Sequence, residues 1–222
     1  LRWHDGKVET QRYWLPDFSK KIKITESEAI DETTRILREA TRMRMISEVP
    51  LGAFLSGGVD SSAVVALMAQ ESETPVKTFS IGFEEQDFSE LKYARRVASH
   101  VGAEYNEFIV RPDALEVLPL LVDHYGEPYA DSSAIPTYYV ARETRKHVTV
   151  ALNGDGGDES FAGYERYMAM ELAEMYKSIP GFVRRALIEG PVNLLPSSPL
   201  KKTRIRDVQR FFTSANEAPL PR

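Results

Sequence analysis

The sequence of 222 residues contains no cysteine. Its absence excludes disulfides, iron–sulfur clusters, zinc sites with cysteine ligands and a cysteine nucleophile from these residues. Long hydrophobic runs are missing as well. No apolar stretch approaches the length of about 20 residues that spans a bilayer, and no signal peptide opens the chain. We therefore expect a cytoplasmic protein with no membrane partner.

The chain also carries fewer positively than negatively charged residues. The chain has 28 Lys and Arg against 33 Asp and Glu, a formal net charge of −5. Nucleic acids and anionic membrane surfaces bind to dense positive faces, so nucleic acid is not expected as a partner either. Hydrophobic residues make up 42% and charged residues 27%, which is ordinary for a globular protein.

Strand-like and helix-like segments alternate along the central part of the chain. Thr25 and Glu28 form a capping-box pattern that predicts the start of the first helix. Apolar and mixed runs predict strands at residues 49–55, 76–83, 104–110 and 148–152. Further helices are predicted at residues 63–70, 89–100, 113–125 and 136–146, with a long one running to about residue 177. This alternation indicates βαβ units and a parallel sheet, so we expect an α/β domain.

The two ends of the chain do not share this pattern. The N-terminal segment looks extended, with a hairpin signal at Asp5-Gly6 and large aromatic side chains that we expect to contact something else. The tail consists of helical pieces broken by prolines. We predict an extended linker at 1–24, one domain at 25–178 and a truncated helical C-terminal part at 179–222.

A loop of unusual composition follows the first buried strand. Residues Ser56 to Ser62 read Ser-Gly-Gly-Val-Asp-Ser-Ser and lead into a helix. Open parallel sheets bind ligands outside the carboxyl ends of their strands, and amides at a helix start suit an anionic group such as phosphate. The loop lacks the Gly-Lys-Ser/Thr of a Walker A motif and carries Asp60 instead. A carboxylate beside a phosphate requires a cation between them, so we infer Mg²⁺.

A second acidic loop follows the last predicted strand. It runs from Asn153 to Glu159 and also contains Asp155 and Asp158. Carboxylates from two strand ends are thus available to share one metal ion, provided that the two strands are neighbours in the sheet. The alternative is an ordinary surface turn, because Asn-Gly and Asp-Gly favour turns.

These motifs together resemble those of a known family. Ser56 to Ser62 resembles the PP-loop of the N-type ATP pyrophosphatases, which cleave ATP between its α- and β-phosphates. Within that group the chain is similar to the synthetase half of the glutamine-dependent asparagine synthetases. The other segments that carry the resemblance are Val49 to Gly52, Thr78 to Phe83, Glu127-Pro128, Asp131 to Ser133, Pro136, Asn153 to Glu159 and Gly163-Tyr164.

The resemblance implies an adenine nucleotide alpha-hydrolase-like fold, with a parallel sheet of about five strands flanked by helices. It implies that ATP activates the side-chain carboxylate of aspartate as an acyl-adenylate and that pyrophosphate is released. Ammonia then displaces AMP to give asparagine. The resemblance further implies Mg²⁺ as a cofactor and an N-terminal glutaminase domain of the parent protein as the source of ammonia. A homodimer is left open.

Carried over residue by residue, the resemblance assigns three groups of site residues. The catalytic residues are Asp60, Asp155 and Asp158, and the ligands of Mg²⁺ are Asp60 and Asp158. The ATP-binding residues are Leu55, Ser56, Gly57, Gly58, Asp60, Ser61, Ser62, Ser80, Ile81, Gly82 and Gly154. Asp155 stands where many asparagine synthetases carry Glu, which leaves the identity of the acceptor open.

Two departures from the family pattern bear on activity. The glutaminase domain of the family starts with a nucleophilic cysteine, and this chain has no cysteine. An Arg-x-Pro-Phe-Leu-Asp stretch, which in the family precedes a basic residue near the adenylate, is not found. Since the chain also begins with Leu1, we expect a piece of a longer protein. Two other functions stay open: an amide synthetase for another carboxylate and, for this piece alone, an ATP-binding module without turnover.

Overall fold

Strands and helices alternate through the central part of the chain. The computed structural model describes residues 1–17, 19–83, 90–127, 129–184 and 211. In these residues the strands are β1 (Arg2–His4), β2 (Lys7–Glu9), β3 (Leu51–Phe54), β4 (Lys77–Phe83), β5 (Glu104–Val110) and β6 (Val150–Leu152). The helices are α1 (Glu26–Arg44), α2 (Val59–Glu71), α3 (Leu91–Val101), α4 (Ala114–Tyr125), α5 (Ala134–Thr144), α6 (Gly157–Phe161), α7 (Glu165–Lys177) and α8 (Gly181–Arg184).

Four of the strands form a parallel sheet in the order β5-β4-β3-β6. Ala53 of β3 lies opposite Thr78 of β4 on one side and opposite Leu152 of β6 on the other. The predicted class, an α/β fold with a parallel sheet flanked by helices, is confirmed. The part of the chain that the structure describes contributes four strands to this sheet, where about five were predicted.

The chain leaves β3 in two directions. It passes to β4 and then β5 on one side, and later returns to place β6 on the other side of β3. The carboxyl ends of β3 and β6 therefore border the point where the strand order reverses. Open parallel sheets bind their ligands in the crevice at such a point. The fold thus places the two polar loops side by side at this crevice.

Apolar side chains fix the helices on the sheet. The buried cluster around β3, α2 and α3 consists of Ala53, Leu55, Val65, Met68, Val76, Ala94 and Ala98. A second cluster joins β5 to α4 and α5 and consists of Val110, Val117, Leu121, Ala134 and Tyr139. Because buried side chains pack at close to crystal density, these clusters hold the helix starts that border the crevice in fixed positions.

Two helix boundaries differ from the sequence predictions. α2 begins at Val59, four residues before the predicted start at 63, so Asp60, Ser61 and Ser62 lie in its first turn. Thr25 and Glu28 form the predicted capping box: the Thr25 N–H donates to Glu28 Oε2 at 2.8 Å, and the Glu28 N–H donates to Thr25 Oγ1 at 3.3 Å. The prediction of one long helix reaching residue 177 is wrong, because the structure divides it into α6 and α7. Between them Ala162 adopts a left-handed φ of 56°, and the Gly163 N–H donates to the Asp158 carbonyl oxygen at 2.9 Å. This turn ends α6.

The N-terminal segment forms the hairpin that its Asp5-Gly6 signal predicts. β1 and β2 pair antiparallel, and both turn residues have positive φ. Trp3 and Trp14 are each 70% exposed, so the expectation that they contact something else stays a prediction. Most of the predicted C-terminal part lies outside the described residues, and its helical character and truncation also stay predictions. Within the residues described, none of the helices combines the length and apolarity needed to cross a membrane.

Candidate active site

Two serines shape the loop between β3 and α2. Ser56 Oγ and Ser61 Oγ lie 2.9 Å apart in a hydrogen bond, and the Gly58 N–H donates to Ser56 Oγ at 3.2 Å. α2 begins directly after Gly58, with no side chain capping its first turn. The N–H groups at such a helix start lack partners within the helix and suit an anionic ligand.

The loop after β6 lies directly against the first loop. A Cβ at Gly154 would stand 2.7 Å from the Ser61 backbone nitrogen, and one at Gly157 would stand 2.6 Å from Asp60 Oδ1. Both distances are far below ordinary contact. A Cβ at Gly154 would collide with the backbone of the first loop, and a Cβ at Gly157 would displace the Asp60 carboxylate. A metal ion shared by the two loops requires that they follow neighbouring strands, and the pairing of β3 with β6 meets this condition.

Asp155 is held in place by its neighbour in the second loop. Asn153 Nδ2 donates to Asp155 Oδ2 at 2.7 Å, and the Asp155 N–H donates to Asn153 Oδ1 at 3.3 Å. Reciprocal bonds of this kind orient the carboxylate through local structure alone. A surface turn would do the same, but here Asn153 and Asp155 also line a cavity.

The two loops and the start of α5 enclose a cavity of about 690 Å³. The predicted site residues that line it are Ser56, Gly58, Asp60, Ser61, Gly154, Asp155 and Asp158. Its lining contains five carboxylates, those of Asp60, Asp131, Asp155, Asp158 and Glu159, and among the described residues no lysine, arginine or histidine. Because like charges repel strongly at short range, a polyanion needs accompanying cations to bind there.

A smaller cavity of about 260 Å³ adjoins the first. The predicted residues that line it are Leu55, Ser56, Ser80 and Ile81. Its other walls are mostly apolar and aromatic, with Glu90 as the one charged residue of the lining that the structure describes. Phe54, Ser56, Thr137 and Val140 line both cavities and mark their junction. The pair suits an elongated ligand with one apolar end and one polar end.

Three of the predicted ATP-binding residues line neither cavity as described: Gly57, Ser62 and Gly82. Gly57 has a φ of 86° and backs onto α3, since a Cβ there would stand 2.5 Å from the Ala94 nitrogen. A Cβ at Gly82 would overlap the side chain of Leu91. Both glycines therefore serve the packing of α3 against the site. Ser62 Oγ is buried and has no hydrogen-bond partner in the described residues.

Sequence reasoning missed the contribution of the segment from α4 to α5. Thr137 and Val140 of α5 line both cavities, and Tyr125 and Tyr129 line the larger one. The two tyrosine rings stack with their centroids 4.3 Å apart and their planes 17° apart. Neither pair has a spacing in the sequence that marks a site. Thr137 and Val140 reach the cavities because α5 packs on β4. The available signals in this segment were Glu127-Pro128, Asp131 to Ser133 and Pro136, which carried the family resemblance without being assigned to the site.

Hydrogen bonds keep two of the cavity carboxylates ionised. The Ser133 N–H donates to Asp131 Oδ1 at 2.8 Å, and this bond lowers the pKa of Asp131. The Tyr164 O–H donates to Glu159 Oε1 at 2.6 Å, which lowers the pKa of Glu159 and raises the pKa of Tyr164 to about 12. A carboxylate that accepts such bonds keeps its charge to lower pH. Both therefore contribute negative charge to the cavity at neutral pH.

Asp60 and Asp158, the predicted metal ligands, line the same cavity. In the ranges that the structure describes, no group of three or more His, Asp or Glu side chains is arranged to hold a metal ion. Mg²⁺ usually takes one or two carboxylates and completes its coordination with water and substrate phosphates. The residues present fit a Mg²⁺ ion that is bound jointly by protein carboxylates, water and substrate phosphates, rather than an ion bound by protein ligands alone.

An open parallel sheet with a Ser/Gly loop before a helix, facing an acidic loop where the strand order reverses, defines the class of nucleotide-binding α/β domains. Comparison with known proteins narrows this class. A model of the asparagine synthase family matches residues 32–219, and the chain belongs to that family.

Individual proteins that are similar to this chain are also named asparagine synthetases. The chain is 38% identical to asparagine synthetase (glutamine-hydrolyzing) 1 of Bacillus subtilis, over 83% of this chain and 29% of that protein. It is 38% identical to a putative asparagine synthetase (glutamine-hydrolyzing) 2 of Methanocaldococcus jannaschii, over 80% of this chain and 35% of that protein. The chain thus spans about a third of the length of these relatives. Among solved structures, an NH3-dependent NAD synthetase from Campylobacter jejuni is similar at 12% identity and a TM-score of 0.41, covering 86% of this chain and 97% of that one.

Proposed function

We propose that this chain is the ATP-dependent synthetase domain of an asparagine synthetase and that it converts the side-chain carboxylate of aspartate into an amide. The pair of adjoining cavities at the strand reversal carries the proposal. One is mostly apolar and about 260 Å³ in volume, and the other is polar and about 690 Å³. Such a pair suits a nucleoside joined to phosphates, with room beside the phosphates for a second small substrate. Membership of the asparagine synthase family supports the same function.

ATP lies across the junction of the two cavities in this proposal. The base occupies the smaller cavity, where Ser80 Oγ donates to the Leu55 carbonyl oxygen at 2.5 Å and fixes one wall. The phosphates pass Ser56 and enter the larger cavity. There the N–H groups at the start of α2 and the hydroxyl of Ser61 donate to phosphate oxygens. This orientation brings the α-phosphorus beside the space left for the acceptor.

The reaction then has two steps. An oxygen of the aspartate side-chain carboxylate attacks the α-phosphorus, and pyrophosphate leaves with the electrons of the broken bond. Ammonia next attacks the acyl carbon of the adenylate and loses a proton, and AMP leaves as asparagine forms. Donors in the first loop stabilise the charge that develops on the leaving pyrophosphate. Asp155, already oriented by Asn153, acts in the acceptor half of the cavity.

Asp60 and Asp158 are the residues that would hold Mg²⁺ in this proposal. The close approach of Gly157 to the Asp60 carboxylate supports the assignment, because it brings the second loop against the first at this group. A bound Mg²⁺ supplies charge neutralisation for the pyrophosphate. The cavity lining offers no lysine or arginine for that task among the described residues.

The remaining parts of the proposal concern the whole protein. The relatives named above are glutamine-hydrolyzing, which supports an N-terminal glutaminase domain of the parent protein as the source of ammonia. Residues 25–178 form the ATP-binding unit, with the linker at 1–24 before it and the helical part at 179–222 after it. We place the reaction in the cytoplasm, where Mg·ATP is available. A homodimer is left open.

Asp155 favours one alternative acceptor class. Its side chain is one methylene shorter than the glutamate of many asparagine synthetases, so a longer or bulkier carboxylate than aspartate would fit opposite it. Pyrophosphate release by the full-length protein separates the two candidates. We expect release with ATP, Mg²⁺ and L-aspartate, and little without L-aspartate. Release that is unaffected by L-aspartate but stimulated by another carboxylate would establish the alternative.

Matched variants test the site itself. Asp60→Asn should abolish most Mg·ATP binding in calorimetry, whereas Asp123→Asn, an exposed change on α4 outside the cavity lining, should leave it intact. Equal binding by both variants would refute the assignment of Asp60. A protein that binds Mg·ATP yet releases no pyrophosphate with any acceptor would be an ATP-binding module without turnover.

A further inference from the structure

A side-chain hydroxyl of α5 lies at the junction of the two cavities. Four residues line both cavities: Phe54, Ser56, Thr137 and Val140. Phe54 and Val140 are apolar, and Ser56 belongs to the first loop. Among the described residues, Thr137 is therefore the one side chain with a hydrogen-bond donor that another element contributes to the junction.

The helix that carries Thr137 is firmly anchored. Thr137 and Val140 are three residues apart and so share one face of α5. Tyr139 is 4% exposed, and the Asp113 N–H donates to its hydroxyl oxygen at 2.9 Å, which ties α5 to the start of α4. A functional group on an anchored helix is held more precisely than one on a loop.

The Thr137 hydroxyl is available to a ligand. The Thr137 N–H continues the helix by donating to the Ser133 carbonyl oxygen at 3.0 Å, and the hydroxyl has no hydrogen bond to the residues that the structure describes. Ser56 Oγ, in contrast, shares a hydrogen bond with Ser61 Oγ at 2.9 Å and accepts another from the Gly58 N–H. Thr137 is also exposed, so a ligand can reach its hydroxyl.

The proposed placement of ATP decides which part of the nucleotide meets this hydroxyl. The base lies in the smaller cavity and the terminal phosphates lie in the larger one, so the junction holds the part between them. Ser56, which the phosphates pass, lines the same junction. The α-phosphate is the phosphate nearest to the nucleoside. It therefore lies where Ser56 of the first loop and Thr137 of α5 meet.

We infer that Thr137 is a catalytic residue whose hydroxyl donates to a nonbridging oxygen of the α-phosphate during the adenylation step. This inference rests on the proposed function and adds a residue to it. When the carboxylate attacks, two negatively charged groups approach each other, and their repulsion raises the barrier. The larger cavity has no lysine, arginine or histidine in its described lining. A hydroxyl donor that is in place before the attack stabilises the charge on the α-phosphate oxygens.

Thr137→Val removes the hydroxyl and keeps the branched shape of the side chain. In the full-length protein with L-aspartate, we expect the single-turnover rate of pyrophosphate release to fall about 100-fold, as for other lost transition-state donors. The Kd for Mg·ATP in calorimetry should stay within about threefold of the wild type, because the contact acts mainly in the transition state. Thr137→Ser keeps the hydroxyl and should restore most of the rate. Thr34→Val makes the same change at an exposed position of α1 outside both linings and should have no effect.

An ATP analogue with sulfur in place of one nonbridging α-phosphate oxygen locates the contact. Its two diastereomers carry the sulfur at different oxygens, and sulfur accepts hydrogen bonds weakly. We expect the wild type to use one diastereomer about tenfold more slowly than the other, which corresponds to the loss of one hydrogen bond. Thr137→Val should abolish this difference, because the same bond cannot be lost twice.

Several results would overturn the inference. They are equal use of both diastereomers by the wild type, an undiminished difference in Thr137→Val, and a wild-type rate in Thr137→Val. A loss in Thr137→Ser as large as that in Thr137→Val would show that only the shape of the side chain matters. A loss confined to the Kd for Mg·ATP would show ground-state binding alone. A wild-type protein that does not bind Mg·ATP, or that releases no pyrophosphate, would instead refute the proposed function.

Discussion

Gly157→Ala is the most informative single substitution that the structure suggests. The added Cβ would lie 2.6 Å from Asp60 Oδ1 and 2.8 Å from Asp60 Oδ2. Ordinary contacts between such atoms are near 3.5 Å, so the Asp60 carboxylate must move by about 1 Å. Gly157 is also the first residue of α6, where alanine is the better helix former by about 1 kcal/mol. The substitution therefore disturbs the site without a reason to unfold the protein.

We expect Gly157→Ala to weaken the binding of Mg·ATP. Misplacing one charge-assisted contact typically costs about 1.5–3 kcal/mol, which corresponds to a rise in Kd of roughly 10- to 150-fold. Calorimetry measures this Kd, and urea unfolding should give a free energy within about 1 kcal/mol of the wild type. Ser160→Ala, on the same short helix but outside the cavity lining, serves as the control.

A double-mutant cycle makes the test sharper. If Gly157→Ala acts through Asp60, it should add little to the loss already caused by Asp60→Asn, because neighbouring residues with a shared role are not additive. Full additivity would mean that the two changes act independently. An unchanged Kd for Gly157→Ala alone would refute the reasoning, since it would show that the position of the Asp60 carboxylate does not matter for binding.

Three other predictions concern the buried core, the start of α1 and a carboxylate of the larger cavity. Leu55→Ala removes a side chain that is 1% exposed and should lower the free energy of unfolding by about 2–5 kcal/mol in urea titrations. Thr25→Ala removes half of the α1 capping box and should cost about 1 kcal/mol in the same assay, with no effect on Mg·ATP binding. The hydrogen bond from the Ser133 N–H lowers the pKa of Asp131 below that of an ordinary aspartate. This bond therefore stabilises the fold above the ordinary pKa of an aspartate and loses its effect as pH falls through the lowered pKa. Asp131→Asn should therefore flatten the acid side of a stability profile, and an unchanged profile would contradict this.

The loops could be predicted from sequence because their composition is a local property. The Ser-Gly-Gly string from Ser56 and the acidic run from Asn153 each follow an apolar segment, so a strand end could be inferred for both. That β3 and β6 are neighbours could be stated only as a condition, because strand order depends on contacts between distant segments. In the structure β3 and β6 are neighbours, and as a result Gly157 of the second loop lies directly against Asp60 of the first.

Other parts of the site were beyond sequence reasoning for physical reasons. Thr137 lies on a helix whose sequence gives no sign of a ligand, and it reaches the cavities only because α5 packs on β4. The break at Ala162 was missed because alanine is a strong helix former and gives no signal for a left-handed turn. Its conformation is imposed by the surrounding contacts, including the overlap that glycine avoids at Gly163. Features fixed by tertiary contacts override local propensity here.

The strands of the sheet are paired to different extents, and this difference affects how the site responds to heating. β4 and β5 are joined along seven residue pairs, whereas β6 is joined to β3 along three. The first loop follows β3, which pairs with β4 along three residues and with β6 along three, whereas the second loop follows β6, which pairs with β3 alone among the described strands. Amide hydrogens of β6 should therefore exchange with solvent before those of β4, by local opening rather than global unfolding. Warming would then separate Asp158 from Asp60 while the rest of the sheet is still intact, and the capacity to bind a substrate would be lost at a lower temperature than the fold.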